Sequence, residues 1–280
     1  MSDPFAAPAV LMVAPNGARR TGADHPRLPV TLEAVLAEAE AAADAGAVAL
    51  HVHVRDESGR HSLDPELNRR WYEALRGRVG HRLVLQLTTE AAGIHGAEAQ
   101  MRVVEEVRPE AVSLALREFA PEGEPSADVR RFLERLAARS VSPQYILYTP
   151  EEVARFRELR ENGVIPQRRP FVLFVLGRHT APGEPVDPAQ VDAFLARHDP
   201  ACPFMVCAFE RRESACLVHA AVHGGHLRVG FENSLVHGDG RPAACNAERI
   251  EDVRTILRRI GRPLADLAAA RAIFGEAARV

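Results

Sequence analysis

Short apolar runs alternate with longer stretches of mixed polarity along the whole chain. Eight runs read as strands: residues 9–14 (AVLMVA), 47–54 (AVALHVHV), 82–88 (RLVLQLT), 110–116 (EAVSLAL), 143–149 (PQYILYT), 171–177 (FVLFVLG), 203–209 (PFMVCAF) and 226–231 (HLRVGF). They are near-continuously apolar rather than alternating, as expected of strands covered on both faces. The stretches between them read as helices. TLEAVLAEAEAAADAG opens on Thr31 as an N-cap, with Glu33 close by, and closes on Gly46 as a C-cap. DPAQVDAFLARH and NAERIEDVRTILRRIG also begin with cap-forming residues, and the second closes on Gly261. Eight strand–helix units in 280 residues predict a (β/α)8 TIM barrel, a fold that takes about 250 residues. The competing doubly wound sheet lacks a G-x-G-x-x-G after its first strand. No linker or repeat divides the chain, so residues 1–280 are expected to form one barrel domain, with IGRPLADLAAARAIFGEA as a C-terminal helical extension.

Composition narrows the function classes. The chain is 46% hydrophobic and 26% charged, with a formal net charge of -3. No basic cluster interleaves with aromatics, which argues against nucleic-acid binding. The opening MSDPFAAPAVLMVAPNG has no charged region before a long apolar core, so no signal peptide is expected. No apolar run approaches the roughly 18 residues of a membrane helix. Cys202, Cys207, Cys216 and Cys245 form no C-x-x-C pair and read as reduced thiols. The expectation is a soluble cytoplasmic protein.

Candidate chemistry sits at the end of the second strand, in HVHVRD. Side chains alternate faces along a strand, so His51 and His53 share one side, with Cα atoms about 6.5 Å apart. Two neutral imidazoles at that spacing can converge on one ion, and zinc is a common choice. A lone H-x-H is more often a pair of ordinary histidines. Here the pair closes a strand at the end where barrel enzymes build their sites, with Arg55 and Asp56 directly after it. A catalytic zinc takes three protein ligands and keeps one position open. RVGFENS on strand eight offers a third: Arg228, Gly230 and Glu232 share a face, and Glu232 lies at the strand's C-terminal end. In a closed barrel strand eight neighbours strand one, which neighbours strand two. A glutamate there is otherwise a solvated helix-start residue.

These residues resemble the β-keto acid cleavage enzymes over nearly the whole length. The resemblance runs from APNGARRTGADHPRLPVT through GAVALHVHVRDESGRHSLD and FVLG to GGHLRVGFENS and IGRPLAD. It implies a zinc-dependent barrel with His51, His53 and Glu232 as ligands. It also implies a reaction in which a β-keto acid and acetyl-CoA give acetoacetate and a new acyl-CoA. Arg228 matches an active-site arginine of the family, Thr88 a serine at the end of strand three, and Ser113 a threonine on strand four. A homotetramer is implied as well, and the C-terminal helix is a candidate subunit contact.

Three departures from the family pattern bear on the substrate. Asn233 stands where the family carries an aspartate with acid/base or orienting work, and an amide cannot accept a proton. Arg19, in NGARRT, stands where the founding member has a glutamate, which points to a neutral or anionic substrate tail; Arg20 beside it is a candidate to share that job. Gln144 and Ile146 replace acids that strand five commonly carries, while Arg117 and Glu118 follow strand four and are candidate mouth residues. Lesser candidates are Asp56 as a partner orienting a ligand histidine or as a plain turn residue, Gly17 as a positive-φ turn glycine after Asn16, and Arg178 as a phosphate contact. Two alternatives stay open: another metal-dependent barrel lyase or hydrolase, and a non-catalytic barrel that binds a keto acid.

Overall fold

A computed structural model describes residues 5–121, 123–178 and 185–280. Residues 1–4 of the opening stretch, and His179 and Thr180 of FVLGRHT, lie outside them. Eight parallel strands close into a barrel in chain order. They are β1 (Leu11–Val13), β2 (Ala49–Val52), β3 (Val84–Thr88), β4 (Ala111–Ala115), β5 (Ser142–Leu147), β6 (Phe171–Leu176), β7 (Phe204–Ala208) and β8 (His226–Val229). The expected (β/α)8 architecture is the observed one, and β8 closes on β1 through Met12 opposite Arg228.

The strands are shorter than the apolar runs. Pairing of β2 with β3 ends at Val52 opposite Leu87, so His53 and Val54 already belong to the mouth of the barrel. Helices α1 (Leu32–Ala45), α2 (Pro65–Val79), α3 (Ala97–Val107), α4 (Leu116–Phe119), α5 (Ala127–Ala138), α6 (Pro150–Glu161), α7 (Gln190–Leu195), α8 (Glu213–Val222) and α9 (Asn246–Arg259) lie between and after the strands. Thr31 caps α1 by accepting from the Ala34 N–H, and Gly46 ends that helix at φ +113°. α7 and α9 begin differently from the sequence expectation. Asp187 accepts from the Ala189 N–H in the turn ahead of α7 rather than capping the helix itself. The Asn246 amide leaves the α9 terminus to accept from the Phe231 N–H, because the chain leaving β8 packs against it.

Two apolar layers result. The outer one lies between strands and helices, with Leu50, Val52, Val112, Leu114, Phe174 and Leu227 in it. The inner one fills the lower barrel with Val10, Met12, Ala49, Val84, Phe171, Leu173 and Met205. The C-terminal helix α10 (Leu267–Ala277) belongs to this inner layer: Ala270, Phe274 and Ala277 are buried in it, and Phe274 meets Phe171 edge-on at 5.2 Å. It is a plug for the closed end of the barrel, and its apolar face is spent within its own chain. No described helix is long and apolar enough to cross a membrane.

Candidate active site

At the open end, two glycines set the geometry. Gly230 follows β8 at φ +143°, and a Cβ there would stand 2.4 Å from the Ala14 carbonyl oxygen. The chain therefore turns tightly over β1, and the Glu232 N–H donates to that same oxygen at 3.1 Å. Gly17, after β1, has φ +63°, as its turn position led one to expect; a Cβ on it would lie 2.8 Å from Glu232 Cγ. The turn and the missing side chain together bring Glu232 across β1 to the end of β2.

There it meets both histidines. His51 Nε2 and His53 Nε2 are 3.1 Å apart, and Glu232 Oε2 is 3.5 Å from the first and 3.4 Å from the second. Donor atoms held at about 2.0–2.1 Å around one tetrahedral ion stand about 3.3 Å from each other, so these three edges fit a single divalent cation. The carboxylate oxygen supports the same conclusion. Glu232 Oε2 is buried and has no hydrogen-bond partner among the described residues, an arrangement costly unless a cation completes it.

The surroundings prepare the set for a metal. Gln86 Oε1 can only accept, so at 2.7 Å it fixes the proton of His51 on Nδ1 and leaves the Nε2 lone pair facing the site. Gln86 is held in turn by donating to Gln144 Oε1 at 3.1 Å. His53 is fixed through its backbone: its N–H donates to Asn16 Oδ1, and the Asn16 amide donates to its carbonyl. Burial drives the His51 imidazole down to about 3, so it is neutral, as a ligand must be. Burial also opposes ionisation of Glu232, but the Arg228 guanidinium outweighs it and holds the carboxyl well below its usual range. Arg228 Nη2 donates to Glu232 Oε1 at 3.0 Å and to Cys207 Sγ at 3.2 Å.

The site opens into a narrow cavity at the barrel mouth. One side is polar: His51, His53, Thr88, Ser113, Arg228 and Glu232. Thr88 Oγ1 accepts from the Glu90 N–H, which leaves its own hydrogen available, and the Ser113 hydroxyl has no partner among the described residues. The other side is formed by Ala115, Ile146, Val175 and Phe209 at the ends of β4 to β7. Sequence reasoning missed Glu90, Tyr148 and Phe209 in this lining. Glu90 lies two residues beyond β3, with one carboxylate oxygen 3.2 Å from Arg178 Nη2 and the other 3.7 Å from His53 Nδ1. Arg178 also covers the Phe209 ring at 4.9 Å. The usable signal was position alone, since each follows a strand by one or two residues.

Other predicted residues lie elsewhere. Arg19 is exposed in an outer recess of the mouth, with Asn16, Gly17, Arg178 and Phe209. Arg20 is a clasp: it donates to the Phe231 carbonyl at 2.5 Å and to Glu210 at 3.2 Å. Arg117 and Glu118 are absent from the cavity lining. The first pairs with Glu152 at 2.6 Å and covers the outer face of the Tyr148 ring at 4.1 Å; the second accepts from the Ala91 N–H and from Gln100. Asn233 is fully buried beside Glu232, outside the lining, with neither amide atom partnered among the described residues. Asp56 is the turn residue of the two readings: its carboxylate accepts from Ser58 and Arg60, and the partner orienting a ligand histidine is Gln86 instead.

Known proteins share this arrangement of sequence and fold. A family model of the beta-keto acid cleavage enzyme matches residues 8–275. A 3-keto-5-aminohexanoate cleavage enzyme of Acetoanaerobium sticklandii is 27% identical over 273 residues, covering 95% of this chain and 97% of its own. A 3-oxoadipate:acetyl-CoA acetyltransferase of Cupriavidus necator is 26% identical over 276 residues, covering 96% and 95%. Among solved structures, apo ObcA superposes with a TM-score of 0.67 at 19% identity, over 89% of this chain and 66% of that one, a likeness of fold. With a match that spans the barrel from before β1 into α10, and takes in both histidines and Glu232, the chain belongs to the beta-keto acid cleavage enzyme family.

Proposed function

We propose that this enzyme uses a zinc ion on His51, His53 and Glu232 to exchange acyl groups between a β-keto acid and acetyl-CoA. The keto acid R–CO–CH₂–COO⁻ loses its C2–C3 bond, its acyl part leaves on the CoA sulfur, and C2 joins the acetyl carbonyl to give acetoacetate. Atoms and charge balance without a further reactant. The pairing of a 3-oxo acid with acetyl-CoA is the one named in the Cupriavidus necator relative. The observation that carries the reading is the convergence of two Nε2 atoms and one orphaned carboxylate oxygen at a barrel mouth.

An ion held by His51, His53 and Glu232 would supply Lewis-acid polarisation of the keto oxygen and offset the negative charge left when the C2–C3 bond breaks. The chain's own residues do the rest. Arg228, buried and held by Glu232, presents a fixed positive charge to a carboxylate or developing oxyanion. The Thr88 and Ser113 hydroxyls offer donors that orient the substrate carboxylate opposite it. Asn233 has no protonic role in this scheme.

The tail R extends from the metal side towards Ala115, Ile146 and Val175, where it meets hydrocarbon. An uncharged tail fits that wall, and the nearby Arg178 is already balanced by Glu90. Arg19 stands further out at the rim, where it disfavours a cationic tail. The test is incubation with acetyl-CoA and a panel of β-keto acids bearing neutral, acidic and amino tails, following acetoacetate and new CoA esters. Neutral tails are expected to lead. Binding without product across the panel overturns the enzymatic reading in favour of a keto-acid-binding barrel, and metal analysis finding no zinc overturns the choice of ion.

A further inference from the structure

Outside the barrel, on the surface of α7 and α8, lies a second convergence of metal-ligating side chains. His219 on α8 and His223, the residue that ends it, are four positions apart and therefore on one face of the helix. Their rings stand 5.0 Å apart and both turn Nε2 towards a single oxygen of Asp192, on α7. His219 Nε2 is 2.8 Å from Asp192 Oδ1 and His223 Nε2 is 3.4 Å from it. We propose that Asp192, His219 and His223 form a second divalent-cation site, for an ion of the zinc, nickel or copper class.

Three observations carry this. An ordinary surface ion pair needs one histidine, yet here a second is turned onto the same oxygen. The three donor atoms lie within 4.8 Å of one another. Ligands of one tetrahedral ion stand about 3.3 Å apart, so the 3.4 Å edge already fits and the 2.8 Å edge opens by about 0.5 Å when an ion replaces the shared hydrogen. Donor chemistry selects the ion: two imidazoles and one carboxylate favour borderline cations and disfavour magnesium and calcium, which take oxygen ligands. The side chains are 27%, 43% and 55% exposed, so water completes the coordination and the ion exchanges with solution. The site ties α7 to α8, two helices that flank β7.

The proposal is independent of the reaction assigned to the mouth and is tested on the full chain by metal counting. The protein is dialysed against zinc chloride at tens of micromolar, and bound zinc per chain is measured by mass spectrometry. Two ions per chain are expected, falling to one in His219→Ala/His223→Ala. One ion is expected to remain in His51→Ala/Glu232→Gln, whose mouth site is gone. Copper binding to that mouth-deficient protein should give an electron paramagnetic resonance spectrum with nitrogen hyperfine structure, lost on adding the α8 substitutions. Zinc should raise the unfolding temperature of the mouth-deficient protein, and not that of the same protein carrying the α8 substitutions. A zinc count unchanged by the α8 substitutions, or no ion bound to the mouth-deficient protein, overturns the site.

Discussion

At the residue scale the mouth depends on neighbours that never touch substrate. His51 can serve as the proposed ligand only while its Nε2 is bare, and Gln86 enforces that tautomer by accepting from Nδ1. Gln86→Leu removes the acceptor without adding charge. Metal affinity measured by chelator competition is expected to fall about 10–100-fold, with the fold intact by circular dichroism. Gly17 matters for space as well as φ: Gly17→Ala sets a methyl against Glu232 Cγ and holds a non-glycine residue in the left-handed region, at a cost of about 1–2 kcal/mol. Chemical denaturation should read that loss, and zinc retention on dialysis should fall with it. Sequence reading at this scale was uneven for physical reasons. Strand parity alone brings His51 and His53 together, because alternation is a property of any strand. Gln86 escaped because one polar residue inside an apolar run carries no mark of the face it points to. Arg117 and Glu118 were plausible mouth residues by position, and local pairing with Glu152 and Gln100 draws them away.

At the scale of elements, the two ends of the barrel divide the work of stability and chemistry. α10 plugs the closed end with Phe274 against Phe171, far from the histidines. Phe274→Ala is expected to cost about 3–5 kcal/mol in denaturant titration while leaving zinc affinity unchanged. An effect on both would show that the two ends are coupled. β8 carries a second stability device at this end. His226 Nδ1 accepts from the Val10 N–H at 3.0 Å, and burial, aided by Arg262, pushes its imidazole down from 6.5 to about 3. Between those values the unfolded chain binds a proton there and the folded chain does not. Stability therefore rises with pH across that window, is complete above about 6.5, and is lost on acidification by up to about 1.4 kcal/mol per pH unit. His226→Gln keeps an acceptor and removes the titration. The difference between wild-type and variant stability should shrink as pH falls from 6.5 towards 4, and a constant difference would sink the idea. The strands and most helices were legible because apolar runs and caps are local signals. The role of α10 was not, since an Ala-rich amphipathic helix looks alike whether it plugs its own barrel or meets another subunit.

Over the whole molecule, the barrel interior is asymmetric, and the asymmetry is what makes a substrate preference arguable. β2, β3 and β8 put histidine, threonine and arginine side chains at the mouth, while β4, β5 and β6 line it near their ends with Ala115, Ile146 and Val175, below Tyr148 and Arg178 in the loops that follow. A keto acid held on the polar side has one direction left for its tail, across the barrel to the apolar side. Ile146 is the residue through which that direction can be re-addressed, because it borders the cavity and stands clear of the metal ligands. Ile146→Lys places a cation at the far wall, beside Ala115 of β4. Specificity between substrates is a difference in transition-state binding, so the two kcat/KM values should move oppositely. The uncharged-tail substrate is expected to lose at least about tenfold, from an unpaired ammonium buried against hydrocarbon. The carboxylate-tail substrate is expected to gain by pairing with it. Zinc content should stay the same, which separates a changed tail subsite from a damaged metal centre. If both substrates lose equally while zinc is retained, the tail does not reach β5, and the wall from Ala115 to Val175 has another role.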